Sequence, residues 1–533
     1  MRIHKCRTSF VFAAAMTALV AASPAFAETP KNTVVIAKQI DDILSLDPGE
    51  AYEISAGETI TNVYDRLTRF EAEDITKLVG GMVESWTISP DNKIFTFKLR
   101  PNQKFQVTDD PVTAEDAVFS LQRVILLNKA PSFLIAQFGW DKDNVTKLVR
   151  VIDPQTFEIT IAKDLAPSLV LRLLSSQVAS VVEKKVALEH EKDGDLGNQW
   201  LRTNSAGSGP YKLVSWKPNT SITLEANPDY RLGAPSMKRV IIEHVPEPAT
   251  QLLLLEKGDI DIARDLTSDQ LATLKDNKNI TITPSLGSDS WYISLSQTEE
   301  HLANPKVREA LHYLVDYQGM TNSFLKGSFK VQQSFLPEGF FGAVTDNPYH
   351  LDVEKAKALL AEGGYKDGFD IHMEAFNSSP MAEIAQSVQQ TMGLANVRVK
   401  IMPEEQKQVL TSYRARKHEM VAVTSGPDYL DPNSNASDFV YNPDDSDKAP
   451  EHTKAWRNHW EIPELTAATI AASKEIDTGK REAMYKDLQK KVLADSPYIF
   501  MFQPIAQTAA RANVKGFIVG PNLDVVYFRK ITK

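Results

Sequence analysis

The sequence predicts an α/β protein of at least two domains. Three observations carry that prediction. The chain has 533 residues, and single hydrophobic cores stop growing near roughly 250–300. Its first part mixes β hairpins with helices. From Trp291 the texture changes to alternating strand and helix, the pattern of an α/β unit.

The N-terminus decides where the mature chain begins. Met1 to Ser9 carries Arg2, Lys5 and Arg7, Phe10 to Val20 is apolar, and Ala25-Phe26-Ala27 is an A-x-A cleavage pattern. Residues 1–27 therefore read as a secretory signal peptide cleaved after Ala27, since the apolar run is too short to span a bilayer. Removing its three positive charges takes the formal net charge from −10 to −13. The one cysteine, Cys6, falls inside the signal. The mature chain, starting at Glu28, then has no disulfide, no thiolate nucleophile and no Cys-ligated zinc. A lipoprotein would need Cys at the cleavage point. The expected location is an oxidising compartment, the bacterial periplasm. No basic stripe is present, which argues against nucleic acid.

The mature chain opens on a strand, Thr33 to Ala37, then a turn at Asp47-Pro48-Gly49 and a helix near Gly57 to Thr68. "ESWTISPDNKIFTFKLRPNQKF" (Glu84 to Phe105) reads as a hairpin, because Phe95, Phe97 and Leu99 alternate with polar residues after the Ser89-Pro90-Asp91-Asn92 turn. Thr113 and Asp116 form a capping pair ahead of a helix with Val118, Leu121 and Ile125 on one face. Further hairpins span Val149 to Ala162, turning at Asp153-Pro154, and Tyr211 to Ala226. A helix that stops at Gly258 precedes a short strand.

In the second part, Asn304-Pro305 is an N-cap followed by proline at the first helical position. Asp352 to Glu362 is helical and stops at Gly363-Gly364. Phe369 to Ala375 reads as a strand, Met381 to Met392 as a helix and Val397 to Met402 as a strand. Two helices come between Pro463 and Asp495, then a strand, Tyr498 to Phe502. Between them, the apolar run Met420 to Val423 leads into "TSGPDYLDPNSNASDF" (Thr424 to Phe439), rich in turn formers and acids. It reads as an irregular loop after a buried strand.

No enzyme signature stands out. Ser323 and Lys326 match S-x-x-K, but no S-D-N or K-T-G accompanies them. A secreted serine hydrolase using this pair is the alternative of another class. His452 and His459, near Asp445 and Asp447, read as an exposed polar segment rather than a metal site. Asp259 and Asp261 read as a strand edge after a helix stop. No cofactor is expected.

The ordered landmarks resemble the ABC-importer solute-binding proteins of the dipeptide, oligopeptide and nickel family. Carrying the resemblance are "WTISPDNKIFTFKLRPNQKF", "VTAEDAVFSLQR", "GSGPYKLVSW", "NPDYRLG", "LEKGDIDI", "NPKVREALHYLVD" and "AKALLAEGGY", in that order across almost the whole mature chain. The resemblance implies two hinged lobes with a subdomain inserted in the first. Residues 28–290 would form lobe one, 291–507 lobe two, and 508–533 would return to lobe one. Closure would bury the ligand between them.

In peptide-binding relatives an acid in a D-x-x-[DE]-P pattern meets the ligand's α-ammonium. Here that pattern is Asp428 to Pro432, which makes Asp428 the candidate. Ser425 stands where oligopeptide-binding relatives carry a bulky aromatic. Trp291 and Tyr292 at the lobe crossing, with Gly57 and Gly209, are further cleft candidates. The arginine that holds the ligand carboxylate in dipeptide-binding relatives is missing from "FNSSPMAEIAQ". The resemblance thus implies a peptide or peptide-like, amine-bearing solute, with an opine-like compound or a nickel complex as alternatives. It also implies an inner-membrane permease as partner and a monomeric binding protein.

Overall fold

The computed structural model describes residues 29–71, 74–521 and 525–533. The signal peptide and its cleavage point lie outside the described residues.

A 12-stranded sheet runs through the molecule. One half orders Tyr211–Lys217, Ser221–Ala226, Arg239–His244, Thr33–Lys38 and Ile262–Ala263. The other orders Ser290–Leu295, Met420–Ser425, Phe369–Phe376 and Val397–Glu404. The long strand Tyr498–Arg511 belongs to both. Its first residues pair with Ser290–Leu295, and its last pair with Ile280–Leu286 and Ile262–Ala263. The chain therefore crosses between the halves twice, near Gly287 and near Pro504, and a backbone bond from Gly287 N–H to the Pro504 carbonyl (2.8 Å) ties the crossings together.

The sequence reading ends the long strand at Phe502. It continues because Pro504 sits where the pairing passes from one partner to the next, opposite Phe329, so its missing N–H is tolerated. The helix expected near Gly57 to Thr68 spans Ile54–Val63, and Thr68 instead opens the strand Thr68–Glu71.

Local rules account for many of the elements. The Asp116 carboxylate accepts from the Thr113 N–H (2.9 Å) and hydroxyl (2.7 Å) at the start of helix Ala114–Leu127. Asn304 accepts from the Lys306 N–H (2.9 Å) ahead of Pro305. Gly258, at φ 83°, ends helix Pro248–Lys257 in the left-handed region that favours glycine. The first two predicted hairpins form a four-stranded sheet of Val83–Ile88, Ile94–Leu99, Thr156–Thr160 and Val149–Asp153, outside the main sheet. Helix Ala114–Leu127 closes its core with Phe95, Phe97 and Phe157.

Separate cores mark the units. Val34, Ile36 and Tyr211 pack with Val514, Phe528 and Ile531, which places the C-terminal segment against the first strand. A larger core gathers Tyr292, Leu311, Val388 and Phe502. Two side chains change sides: Phe70 joins this larger core, and Tyr429 joins the core of the four-stranded sheet.

Candidate functional site

Strand Met420–Ser425 pairs antiparallel with Ser290–Leu295, and Ser425 stands opposite Ser290. The segments Gly287–Asp289 and Gly426–Asp428 therefore emerge side by side at the crossing. Facing them are Tyr52 to Ile54, which lead into helix Ile54–Val63, and Arg264, which follows strand Ile262–Ala263. Together they line a cleft of about 520 Å³. A second cavity of about 590 Å³ shares Asp428 and opens toward Lys163 and Ser437. A smaller cavity of about 280 Å³ beside Asp65, Arg69 and Tyr230 has walls from one side of the crossing only, so closure would not bury a ligand there.

The stretch expected as an irregular loop is half helix. Asp431 caps helix Pro432–Phe439 by accepting from the Asn433 N–H (2.9 Å), with Pro432 at the first helical position. Turn formers and helix caps use the same residue types, so composition alone does not separate them. Asp431 has a second task. Fully buried, it accepts from Arg481 Nη1 (2.9 Å) and Nη2 (2.6 Å), and Arg172 Nε lies 3.6 Å away. Burial alone would raise its pKa, yet Arg481 and Arg172 hold it below the usual carboxylate range.

With its base fixed in this way, the loop presents Asp428 to the cleft. Its N–H donates to the Ser434 hydroxyl (2.8 Å). Its Oδ1 accepts from the Tyr52 hydroxyl (2.5 Å), which reaches across from the other wall. Burial, and the charge of Asp428, push the Tyr52 phenol well above its usual pKa, so it stays protonated as the donor. Asp428 is exposed and makes no ion pair among the described residues. Asp289 stands beside it. A Cβ on Gly426 would collide with the Asp289 carboxylate, and burial raises the Asp289 pKa.

The other sequence candidates are placed differently. Ser425 ends its strand half-buried, outside the cleft wall, with its hydroxyl toward the Gly426 carbonyl (3.5 Å). Tyr292 is fully buried against Phe439 (5.1 Å between ring centres) and Phe500 (5.7 Å), so it is a core residue rather than a cleft one. Trp291, on the opposite face of that strand, is half-buried edge-on to Phe329 (4.8 Å) and does not line the cleft. Gly57 is buried within its helix. Gly209 serves a close backbone approach, since a Cβ there would lie 2.7 Å from the Val63 carbonyl oxygen.

Ser323 donates to the Gly319 carbonyl (2.6 Å) at a helix end, and Lys326 is exposed. His459 bonds Asp445 (3.1 Å), whereas His452 stacks on Trp456 (3.9 Å). Asp261 is buried and accepts from the Val35 N–H (2.8 Å). Sequence reasoning missed Tyr52, Arg264 and Asp289. Asp289 stood two residues from the crossing at Trp291 and Arg264 two residues after "LEKGDIDI", but neither was singled out.

Two lobes joined by paired strand crossings, with a solvent-accessible cleft at the junction, define a hinged solute-binding protein. More particularly, the chain belongs to the bacterial extracellular solute-binding proteins, family 5, whose middle-region profile matches residues 77–447. It is 29% identical over 530 residues to the probable D,D-dipeptide-binding periplasmic protein of Escherichia coli (strain K12), covering 98% of each chain. Among solved structures it is similar to HbpA2 from Haemophilus parasuis (TM-score 0.79, 24% identity, 94% of this chain and 99% of that one). It is also similar to the periplasmic binding protein DppA from Helicobacter pylori in complex with the peptide STSA (TM-score 0.75, 23% identity, 94% and 98%).

Proposed function

We propose that the protein is the periplasmic solute-binding component of an ABC importer. It captures a peptide or peptide-like solute bearing a free amine between its lobes and delivers it to an inner-membrane permease. The observation that carries this reading is Asp428: an exposed carboxylate, oriented by Tyr52 and in no ion pair among the described residues, although the buried Lys454 feels its charge. A closed cleft strips water from an ammonium, and a positioned carboxylate offsets that cost. The names of the E. coli relative and of the H. pylori complex, a dipeptide-binding protein and a peptide-bound one, support the same class of solute.

In this reading the protein works as a monomer, by binding rather than by catalysis. Residues 28–290 and 508–533 form one lobe and 291–507 the other. The double crossing of the sheet near Gly287 and Pro504 supports those boundaries.

Native mass spectrometry of protein purified from the periplasm without denaturation tests the proposal. A retained mass that fragments as a peptide is expected. A non-peptide mass, such as an opine-like compound or a nickel complex, would discard the peptide label. Scattering that shows no compaction with a tightly held solute would discard closure.

A further inference from the structure

Arg264 lines the same cleft as Asp428 and, among the described residues that do so, is the one cation. Its guanidinium is only partly committed. Nη1 donates to Glu58 Oε1 (3.1 Å), and no other hydrogen bond is made to a described residue. Glu58 is fully buried and also accepts from Lys38 Nζ (2.8 Å). Lys38 is itself buried and has no second acidic partner among the described residues.

Two cations thus share one carboxylate. Lys38, Glu58 and Arg264 carry one net positive charge, and Arg264 brings it to the cleft wall. Glu53, Asp289 and Asp428 line the same cleft, yet none of them pairs with Arg264, so a solute carboxylate can meet the guanidinium directly and offset the cluster's surplus charge. A guanidinium with open nitrogens suits a carboxylate, which it can meet with two parallel N–H bonds.

We infer that Arg264 is the carboxylate site of the cleft, so the preferred solute is a zwitterion with its ammonium at Asp428 and its carboxylate at Arg264. The inference rests on the amine reading of Asp428. It gives this chain a carboxylate partner outside "FNSSPMAEIAQ", on the opposite wall of the cleft.

The test is calorimetric titration of the full mature protein with three pools of the same di- and tripeptides: unmodified, C-terminally amidated and N-acetylated. The amidated pool is expected to bind at least tenfold more weakly than the unmodified one. In Arg264→Gln that preference disappears, and in Arg264→Lys part of it returns. Arg264→Gln leaves Glu58 with Lys38 as a neutral buried pair. The comparison of pools in the unsubstituted protein needs no variant at all.

Equal binding of amidated and unmodified pools overturns the role of Arg264 and leaves Asp428 untouched. Equal binding of N-acetylated and unmodified pools overturns the ammonium role of Asp428, while the amide comparison still decides Arg264. Binding of no pool overturns both.

Discussion

Arg172 Nη1 donates to the carbonyl of Leu430 at 3.0 Å, across the junction between the four-stranded sheet's helix Pro167–Leu173 and the loop that carries Asp428. The same guanidinium lies 5.3 Å from the ring centres of Phe70 and Phe341. One side chain of the helix Pro167–Leu173 therefore holds the position of the candidate ligand loop. Arg172→Met is expected to enlarge the radius of gyration in the absence of solute and to weaken affinity by about threefold to tenfold, because less of the protein is in the closed form. Small-angle scattering with and without solute measures both states. An unchanged radius would reduce the contact to packing.

Asp428→Asn is expected to weaken binding of amine-bearing solutes at least tenfold, about 1.4 kcal/mol. Tyr52→Phe removes only the bond that orients the carboxylate, so a smaller loss of about threefold to fivefold is expected. Calorimetry on both variants checks the ranking. Full affinity in Asp428→Asn would make the carboxylate a structural group.

Asp431 is a matter of folding rather than recognition. Asp431→Asn leaves Arg481 buried and Arg172 nearly so, without their carboxylate. Breaking a buried ion pair from one side costs about 3–5 kcal/mol. A chemical-denaturation curve should show that loss. A variant as stable as the parent would mean that the guanidiniums find other acceptors.

Two histidines set an acid limit. Burial, with Arg308 nearby, pushes His312 down to about 3. Burial pushes His418 down to about 4, although Asn458 Oδ1 sits 2.8 Å from its Nε2. Both bind a proton in the unfolded chain near pH 6.5 but not in the folded one. Between those values the unfolded state holds more protons, so stability falls as pH drops from about 6.5 toward 4. For His418 alone the loss is on the order of 3 kcal/mol. Urea unfolding at pH 7 and pH 4.5 should show it, and His418→Gln should flatten the dependence. An equal slope in that variant would place the acid sensitivity elsewhere.

The legible parts of the fold were the local ones. The Asp153-Pro154 turn, the Thr113–Asp116 cap and the Asn304-Pro305 helix start are written in neighbouring residues, and the structure has each of them. The long strand was cut short because proline reads as a stop, and the pairing that tolerates Pro504 comes from Phe329, distant in sequence. Asp428 was nominated only through the resemblance, by the D-x-x-[DE]-P pattern of peptide-binding relatives, and it lines the cleft. Tyr52 and Arg264 were not nominated at all, because the cleft assembles segments distant in sequence that share no local pattern. Trp291 and Tyr292 were read together, yet adjacent strand residues face opposite ways. A run as apolar as theirs does not say which way is inward.

The long strand Tyr498–Arg511 also sets the order in which the molecule can be finished. It sits between Ser290–Leu295 and Ile262–Ala263, in the middle of the sheet, yet it comes after every other strand of that sheet in chain order. Until residue 511 has been made, each half of the sheet has an unpaired inner edge. Such edges recruit foreign strands, and contacts this far apart in sequence form slowly. A nascent chain would thus stay uncommitted until this strand has emerged. A product truncated before it would expose two sticky edges rather than yield one smaller folded protein.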